Sequence, residues 1–336
     1  MSRLSAPKHS GLTLIELLTV VAIVGILVAL LIPAVHSIRE ASNRATCANN
    51  LKQMSLAMQN CSDVHKALPS GGWGWSWLGV PSKGTGPEQP GGWMYNILTF
   101  MEHDSVRKLG AGVRGDAGMK EAMKQLCETP IPTFNCPTRR SPGSFEWTWG
   151  ANPYYTADAD GNTVSIWVNA DDTMARGDYA ANAGDQRNNE FGDGPTSYGE
   201  RIGNTFVPNM PTAGDGTGVI FFASNIRFSD ITRGLSNTFL VGERYLNPSD
   251  YFTGNDAGDN EAMYVGCDND NSRVTFAGPL QDMPGFADTF RFGSAHSGGL
   301  NMLKCDGSVH FINYDITLDT WRPMGRRFAA ANAEDL

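Results

Sequence analysis

Residues 12–32 read LTLIELLTVVAIVGILVALLI, an uninterrupted apolar run in which Glu16 is the single charge. As an α-helix this run would be about 31 Å long, which matches the hydrocarbon core of a bilayer. Pro33 follows it, and no comparable run recurs in the rest of the 336-residue chain. The sequence therefore predicts one membrane-spanning helix near the N-terminus, followed by a large domain outside the membrane.

The composition favours a packed domain and excludes one class of partner. Hydrophobic residues make up 41% of the chain and charged residues 18%, with a net charge of −9. There is no basic run that would displace counterions from a phosphate backbone. We therefore expect a folded protein without a nucleic-acid partner.

The start of the chain differs from an ordinary secretory signal peptide. The apolar run exceeds the roughly 7–15 residues of a signal-peptide core, and no small-x-small cleavage site follows it. A plain signal anchor is the simplest alternative. Arg3 and Lys8 in the leader (residues 1–11) would stay in the cytoplasm by the positive-inside tendency. This predicts a single membrane pass with the C-terminal domain on the extracytoplasmic side.

The sequence GLTLIE at residues 11–16 resembles the processing site of type IV prepilins. The resemblance implies cleavage between Gly11 and Leu12 and N-methylation of Leu12 by a prepilin peptidase/N-methyltransferase. Counted from Leu12, Glu16 and Pro33 fall where that family has its glutamate and a helix-kinking proline. The one departure is Leu12 itself, where the family more often has phenylalanine.

The carboxylate of Glu16 also needs an explanation on physical grounds. A charge within a lipid-exposed helix costs about 2–3 kcal/mol or more, so it is expected to have a partner. The prepilin resemblance implies one, the N-terminal ammonium of a neighbouring subunit. The alternative is that Glu16 lies near the membrane interface and reaches water.

Beyond Pro33, residues 34–68 carry apolar side chains at intervals of three or four, from Ile38 to Cys61. This spacing predicts an amphipathic continuation of the helix to about Asp63, with Pro69 ending it. Residues 12–33 would form the transmembrane half, kinked near Pro33. Residues 34–68 would pack on a domain formed by residues 69–336.

Three further motifs extend the resemblance over the whole chain. They are CANNLKQ at 47–53, FNCP at 134–137, and a histidine separated by nine residues from Asp-Gly. Together they resemble a large family of prepilin-type bacterial proteins, whose domain of uncharacterised function ends in a motif written H-x9-DG. The motif residues in this chain include Cys47, Asn50, Cys136, His296, Asp306 and Gly307.

The sequence pattern of residues 289–313 can be interpreted without the family resemblance. Two alternating runs flank Asp306-Gly307, which predicts a β-hairpin with a two-residue type I′ turn. A strand at about 289–294 would complete a three-stranded meander. On this interpretation the Asp-Gly pair has a structural role and His296 is a polar residue at a strand end. A metal or ligand site at His296 is the alternative.

The remaining pattern predicts an α+β fold. Residues 217–222 and 237–243 read as short strands, so the long helix would lie across a mostly antiparallel sheet, as in pilins. The Asp-, Asn- and Gly-rich segment 141–217 is predicted to be a loop-rich insertion.

The chain carries no recognised catalytic motif, and we expect it not to be an enzyme. Two acidic loops have oxygen ligands at alternate positions, Asp158 with Asp160 and Asp268 with Asp270. They are weak calcium candidates, with ordinary solvated loops as the alternative. Calcium is the one cofactor that we consider, and otherwise none is expected.

Six cysteines in an exported domain suit disulfides. Because Cys47 and Cys136 both fall in motifs of the family, the resemblance favours a bridge between them, and Cys127–Cys136 is the local alternative. No CxxC motif is present, which disfavours zinc.

Two functions remain. The first is a structural pilin-like or pseudopilin subunit, which assembles through its first helix with copies of itself and other pilin-like subunits. The product would be a type IV pilus-like filament or a type II secretion pseudopilus. The second is a membrane-anchored, extracytoplasmic ligand-binding module. Trp73, Trp75 and Trp77 would face one way in an extended strand, as core residues or as a carbohydrate platform.

Overall fold

A computed structural model of the protein describes residues 14–169, 171–187, 192–199 and 216–329. The predicted cleavage site, Gly11 and Leu12, lies outside the described residues. Two compact units are present, one ending at Asn43 and the other beginning at Arg44.

The first helix, α1 (Leu14–His65), contains 52 residues and has Pro33 in its interior. The long N-terminal helix is thus confirmed, and Lys66 with a positive φ of 62° follows its end. Pro33 cannot donate a backbone hydrogen bond within the helix, and a kink there stays a prediction. Among the described residues, α1 is the one helix long and apolar enough to cross a membrane.

In the second half of α1, buried side chains recur along one face of the helix. Leu51, Met54 and Met58 are fully buried and join the main hydrophobic core together with Trp93 and Phe134. Each such side chain stabilises the fold by about 1.5–3 kcal/mol relative to an exposed position. The predicted stripe therefore packs on the domain only from Cys47 onward, whereas its first member, Ile38, is 69% exposed.

The domain is built on a five-stranded sheet in the order β11-β10-β6-β5-β7. All of its pairings are antiparallel except β5 with β7. Two-stranded sheets are formed by β1 with β4, β2 with β3, and β8 with β9. The α+β class with a mostly antiparallel sheet is confirmed. The strands are β1 (Ser144–Glu146), β2 (Asn152–Ala157), β3 (Thr163–Val168), β4 (Thr173–Ala175), β5 (Tyr179–Gly184), β6 (Phe239–Glu243), β7 (Ser272–Val274), β8 (Leu280–Gln281), β9 (Gly293–Ser294), β10 (Gly299–Lys304) and β11 (Val309–Asn313).

Shorter helices lie between α1 and β1 and after β11, and 3₁₀ turns lie both among them and between strands. The α-helices are α2 (Trp93–Ile97), α3 (Asp104–Arg107), α4 (Asp116–Glu128) and α5 (Leu318–Trp321), and the 3₁₀ turns are Leu98–Met101, Pro132–Phe134, Phe228–Asp230, Leu235–Asn237, Pro248–Asp250 and Arg322–Gly325.

The predicted C-terminal hairpin is present as β10 and β11, but its turn differs from the prediction. Lys304 pairs with Ser308 through a 2.9 Å hydrogen bond, which leaves Cys305, Asp306 and Gly307 in a three-residue loop. Gly307 has a φ of +81°, whereas Asp306 is not in the left-handed region. A type I turn followed by a left-handed glycine explains this geometry, and the type I′ prediction is wrong.

Three other expectations are corrected by long-range pairing. The strand expected at about 289–294 does not extend the hairpin, because β6 lies beside β10 and β9 pairs with β8. Residues 217–222 form bends and the start of a turn rather than a strand. The backbone amides of Gly218 and Val219 donate to the carbonyl oxygens of Ala183 and Asn182 in β5. Segment 141–217, expected to be a loop-rich insertion, supplies β1 to β5. Of these, β5 is a fully buried interior strand.

Candidate functional site

Four buried side chains from distant parts of the sequence converge beside the sheet. They are Cys47 on α1, Cys136 after the Pro132–Phe134 turn, Glu243 at the end of β6, and His296 after β9. Their possible ligand atoms all lie within 4.8 Å of one another. Each residue is at most 1% exposed. We refer to these four residues as the Cys-Cys-Glu-His cluster.

Three close contacts link the four side chains. The Sγ atoms of Cys47 and Cys136 are 3.2 Å apart and are not bonded to each other, so the disulfide expected between them stays a prediction. The Sγ atom of Cys136 lies 3.8 Å from Nε2 of His296. That same Nε2 lies 3.1 Å from Oε1 of Glu243. His296 is therefore the central member, in contact with both a sulfur and a carboxylate.

Asn50 holds the cysteine side of the cluster in place. It lies three residues after Cys47, so both side chains share one face of α1. Its Nδ2 atom donates to the carbonyl oxygen of Asn135 at 3.1 Å and to the hydroxyl of Tyr179 at 3.3 Å. The amide of Cys136 donates to Oδ2 of Asp178 at 2.8 Å. The FNCP segment is thereby fastened both to the helix and to the start of β5.

Glu243 and His296 are held by residues of β10 and β9. Glu243 pairs directly with Tyr179 across β5 and β6, so the two side chains share a face of the sheet. Asn301 donates to both carboxylate oxygens of Glu243. Its backbone N–H donates to Oε2 at 2.6 Å, and its side-chain Nδ2 donates to Oε1 at 3.2 Å. The amide of His296 donates to Oγ of Ser294 at 3.2 Å. The bonds from Asn301 orient the carboxylate of Glu243, and the bond to Ser294 holds the backbone of His296.

The contacts within the cluster change the pKa of each member. Burial opposes protonation of His296, but its contacts with Cys136 and Glu243 outweigh burial and raise its pKa to about 11. Burial likewise opposes ionisation of Glu243, whose pKa is nevertheless lowered by His296 and Asn301. The hydrogen bond from Cys47 lowers the pKa of Cys136 to about 7, against the effect of burial. The pKa of Cys47 is raised, first by its bond to Cys136 and then by burial.

This arrangement allows two kinds of chemistry. One is a disulfide bond between the two sulfurs, and the other is coordination of one cation by the four side chains. A third, nucleophilic attack by a Cys136 thiolate next to His296, would require substrate to reach a side chain that is 1% exposed. The geometry is therefore that of a closed centre.

The acidic loops lie outside this cluster. The carboxylate oxygens of Asp158 accept from the amides of Gly115, Asp160 and Asn162, as in a turn fixed by its own backbone. Asp160 is exposed and pairs with Arg114 at 3.5 Å.

The second acidic pair is buried rather than solvated. Asp268 and Asp270 are 3% and 4% exposed, and Oδ1 of Asp270 accepts from the amide of Glu261. Burial, followed by the charge of Asp268, raises the pKa of Asp270 well above its usual range. Within the described part of the chain, the Cys-Cys-Glu-His cluster is the one group of three or more such side chains close enough to share an ion. Calcium binding at either acidic loop stays an untested prediction.

Sequence reasoning found three of the four cluster residues and missed Glu243. Its one local signal is a carboxylate that ends an otherwise apolar strand, FLVGE at 239–243. A charge at the end of a fully buried strand needs a partner. Asp306 and Gly307 lie elsewhere, in the turn of the β10–β11 hairpin.

Comparison with known proteins gives two family matches. A prokaryotic N-terminal methylation motif matches residues 7–32. The model of a family described as a protein of unknown function (DUF1559) matches residues 36–319. No curated protein and no solved structure matches the chain. Both resemblances predicted from the sequence are confirmed, and the chain belongs to the DUF1559 family and carries a prepilin-type methylation motif at its N-terminus.

Proposed function

We propose that this protein is a structural pilin-like or pseudopilin subunit. It is cleaved after Gly11, methylated on Leu12 and assembled through the first half of α1. The observation that carries the proposal is the N-terminal methylation motif at residues 7–32, which overlaps the apolar first part of the long helix α1. It acts by assembly and not as an enzyme.

The surface of α1 supports assembly through this helix. Large apolar side chains are exposed around its circumference before Pro33, including Leu14 at 77% and Leu30 at 70%. A helix that is apolar all round requires lipid or other apolar helices as its surroundings. Before assembly, the membrane provides these apolar surroundings. After assembly, neighbouring copies of the same helix provide them.

The membrane-anchored state follows from the motif and from the single long apolar helix. We infer that the anchor lies in the inner membrane, with the domain from Arg44 onward on the extracytoplasmic side. Its partners would be the prepilin peptidase/N-methyltransferase, copies of itself and other pilin-like subunits.

Site-specific photo-cross-linking tests assembly. A photoreactive residue at Leu30 of the full chain, expressed in its native membranes, should give a ladder of covalent multimers. A chain that yields only monomers and lipid adducts would contradict assembly through α1.

A ligand-binding module is the second candidate, because of one cleft. It has a volume of about 320 Å³, and its lining includes Trp75, Trp149, Glu261 and Asp268. Indole rings with carboxylate and amide groups suit a small polar ligand. Trp73 and Trp77 are buried with ring centroids 5.0 Å apart, so the three indoles do not form one platform. Two results together would favour this candidate. The protein would be a monomer that binds a small polar ligand, and Trp75→Ala would abolish that binding.

A further inference from the structure

We propose that the Cys-Cys-Glu-His cluster is a structural zinc site, in which Cys47, Cys136, Glu243 and His296 bind one Zn²⁺ ion. This inference goes beyond the proposed assembly function and does not depend on it. All four ligands lie in the unit that begins at Arg44.

Three of the six distances between the ligand atoms can be compared with the edges of a tetrahedral site, and the other three are at most 4.8 Å. With the usual zinc–ligand distances, the edges of the tetrahedron are about 3.8 Å for S–S, about 3.6 Å for S–N and about 3.4 Å for N–O. The corresponding distances are 3.2 Å between the sulfurs, 3.8 Å from Cys136 to His296 and 3.1 Å from His296 to Glu243. These differ from the ideal edges by about 0.2–0.6 Å, which small side-chain rotations accommodate.

The donor set selects the class of metal. Two thiolates, an imidazole and a carboxylate suit Zn²⁺, whereas Ca²⁺ and Mg²⁺ prefer oxygen ligands alone. Four protein ligands with almost no exposure leave no position for water or substrate, which is the arrangement of structural zinc sites. The absence of a CxxC motif is not an objection, because each ligand comes from a separate segment of the fold.

The protons and charges also balance. Zinc displaces the protons of both thiols and the proton of the imidazolium, and these are released to solvent. The resulting two thiolates and one carboxylate face a divalent cation, which leaves a net charge of −1. The nearby guanidinium of Arg139 does not take the place of the metal, because it is paired with Asp178 at 3.2 Å and with Asp282 at 2.9 Å.

The surrounding hydrogen bonds are those that a metal site requires. Asn301 orients the carboxylate of Glu243, and Asp178 holds the backbone of Cys136. Such outer contacts fix ligand orientation before the ion binds. A disulfide between Cys47 and Cys136 would use the sulfurs but would give no reason for Glu243 and His296 to point at them. The convergence of all four side chains therefore favours the ion.

The ion would fasten the domain at the point where its parts meet. It would join α1, the FNCP segment, β6 and the segment after β9, which are far apart in the sequence.

Metal analysis of the full-length protein tests the proposal. The chain is purified from its native membranes in detergent without chelator or reductant, and zinc is measured by mass spectrometry before and after incubation with Zn²⁺. We expect one zinc per chain in the wild type. Cys136→Ser and Glu243→Gln should lose it, whereas Cys127→Ser, a buried cysteine outside the cluster, should retain it.

Two further measurements distinguish the loss of a zinc ligand from the loss of the fold. His296→Cys supplies another zinc ligand and should retain the metal, whereas His296→Ala should not. Replacement of the ion by Co²⁺ should give the visible absorption of a tetrahedral, thiolate-ligated cobalt centre. A wild type that takes up no zinc, or one whose Cys47 and Cys136 are joined in a disulfide, would overturn the proposal. Zinc retained by Cys136→Ser, Glu243→Gln and His296→Ala alike would overturn it as well.

Discussion

Lys52 of α1 donates a hydrogen bond from Nζ to the backbone oxygen of Gly307, at 2.5 Å, although 255 residues separate them. A methyl group on the α-carbon of Gly307 would lie 2.8 Å from Nε2 of Gln59 and 3.0 Å from Oγ of Ser55. The Asp-Gly turn of the H-x9-DG motif thus lies against the helix that carries NNLKQ. Glycine is favoured at this position by its positive φ, and an added side chain would also have to displace the side-chain amide of Gln59.

The first prediction is that Gly307→Val destabilises the domain. A β-branched residue in the left-handed region costs about 1–3 kcal/mol, and here the side chain also displaces Gln59. Gly298 is the matched control, because its φ is +83° but nothing lies within 4 Å of an added side chain. Thermal unfolding of the full chain should show a larger loss for Gly307→Val than for Gly298→Val. Equal losses would mean that the contact with α1 contributes nothing.

The second prediction concerns a buried carboxylate. Asp259 forms ion pairs with Arg140 and Arg244, and all three side chains are at most 1% exposed. Asp259→Asn leaves two buried guanidinium groups without this counter-charge, a change that costs about 3–5 kcal/mol. Asp104→Asn, which breaks a solvent-exposed pair with Lys108, should destabilise the protein far less. Equal losses of unfolding free energy for Asp259→Asn and Asp104→Asn, measured with denaturant, would contradict this account.

The third prediction is the pH dependence that follows from the same carboxylate. Burial opposes ionisation of Asp259, but Arg140 and Arg244 outweigh it and lower its pKa from 3.8 to about 2. Because the folded state has the lower pKa, this stabilisation is complete above about pH 4 and is lost as the pH falls toward 2. It amounts to about 2 kcal/mol. The unfolding free energy of wild type should fall over this range more steeply than that of Asp259→Asn, and parallel curves would refute the assignment.

The fourth prediction separates membrane insertion from assembly. Glu16→Ala removes the one charge of the apolar run, so insertion should be unimpaired, but no carboxylate remains to pair with a neighbour's amino terminus. The multimer ladder from a photoreactive residue at Leu30 should disappear. Glu40→Ala, on the same helix beyond Pro33, is the control and should preserve it. An unchanged ladder in Glu16→Ala would remove the pairing argument.

Local patterns predicted the elements whose partners are close in sequence. The apolar run and the stripe after it predicted α1, and the alternation around Asp306-Gly307 predicted the β10–β11 hairpin. The apolar run at 217–222 was mistaken for a strand because its buried side chains look the same in a bend. Its backbone bonds to Asn182 and Ala183 depend on a strand that lies outside any local pattern.

The candidate site was less predictable for the same reason. Cys47, Cys136 and His296 were recognised as motif residues, but nothing in their spacing shows that they meet. Glu243 joins them only because β6 lies beside β5 and β10, an order that no local pattern specifies. Three-dimensional pairing therefore decides which residues form the cluster, whereas a local motif is enough to predict the processing site.

The mature N-terminus of the protein, isolated from its native membranes and identified by mass spectrometry, is the most direct test of the pilin-like assignment. The account predicts a chain that begins at Leu12 and carries one added methyl group on its amino nitrogen. Gly11→Ala should hinder the cleavage and leave the leader attached. A wild-type chain that still begins at Met1, or that begins after residue 33, would contradict the assignment.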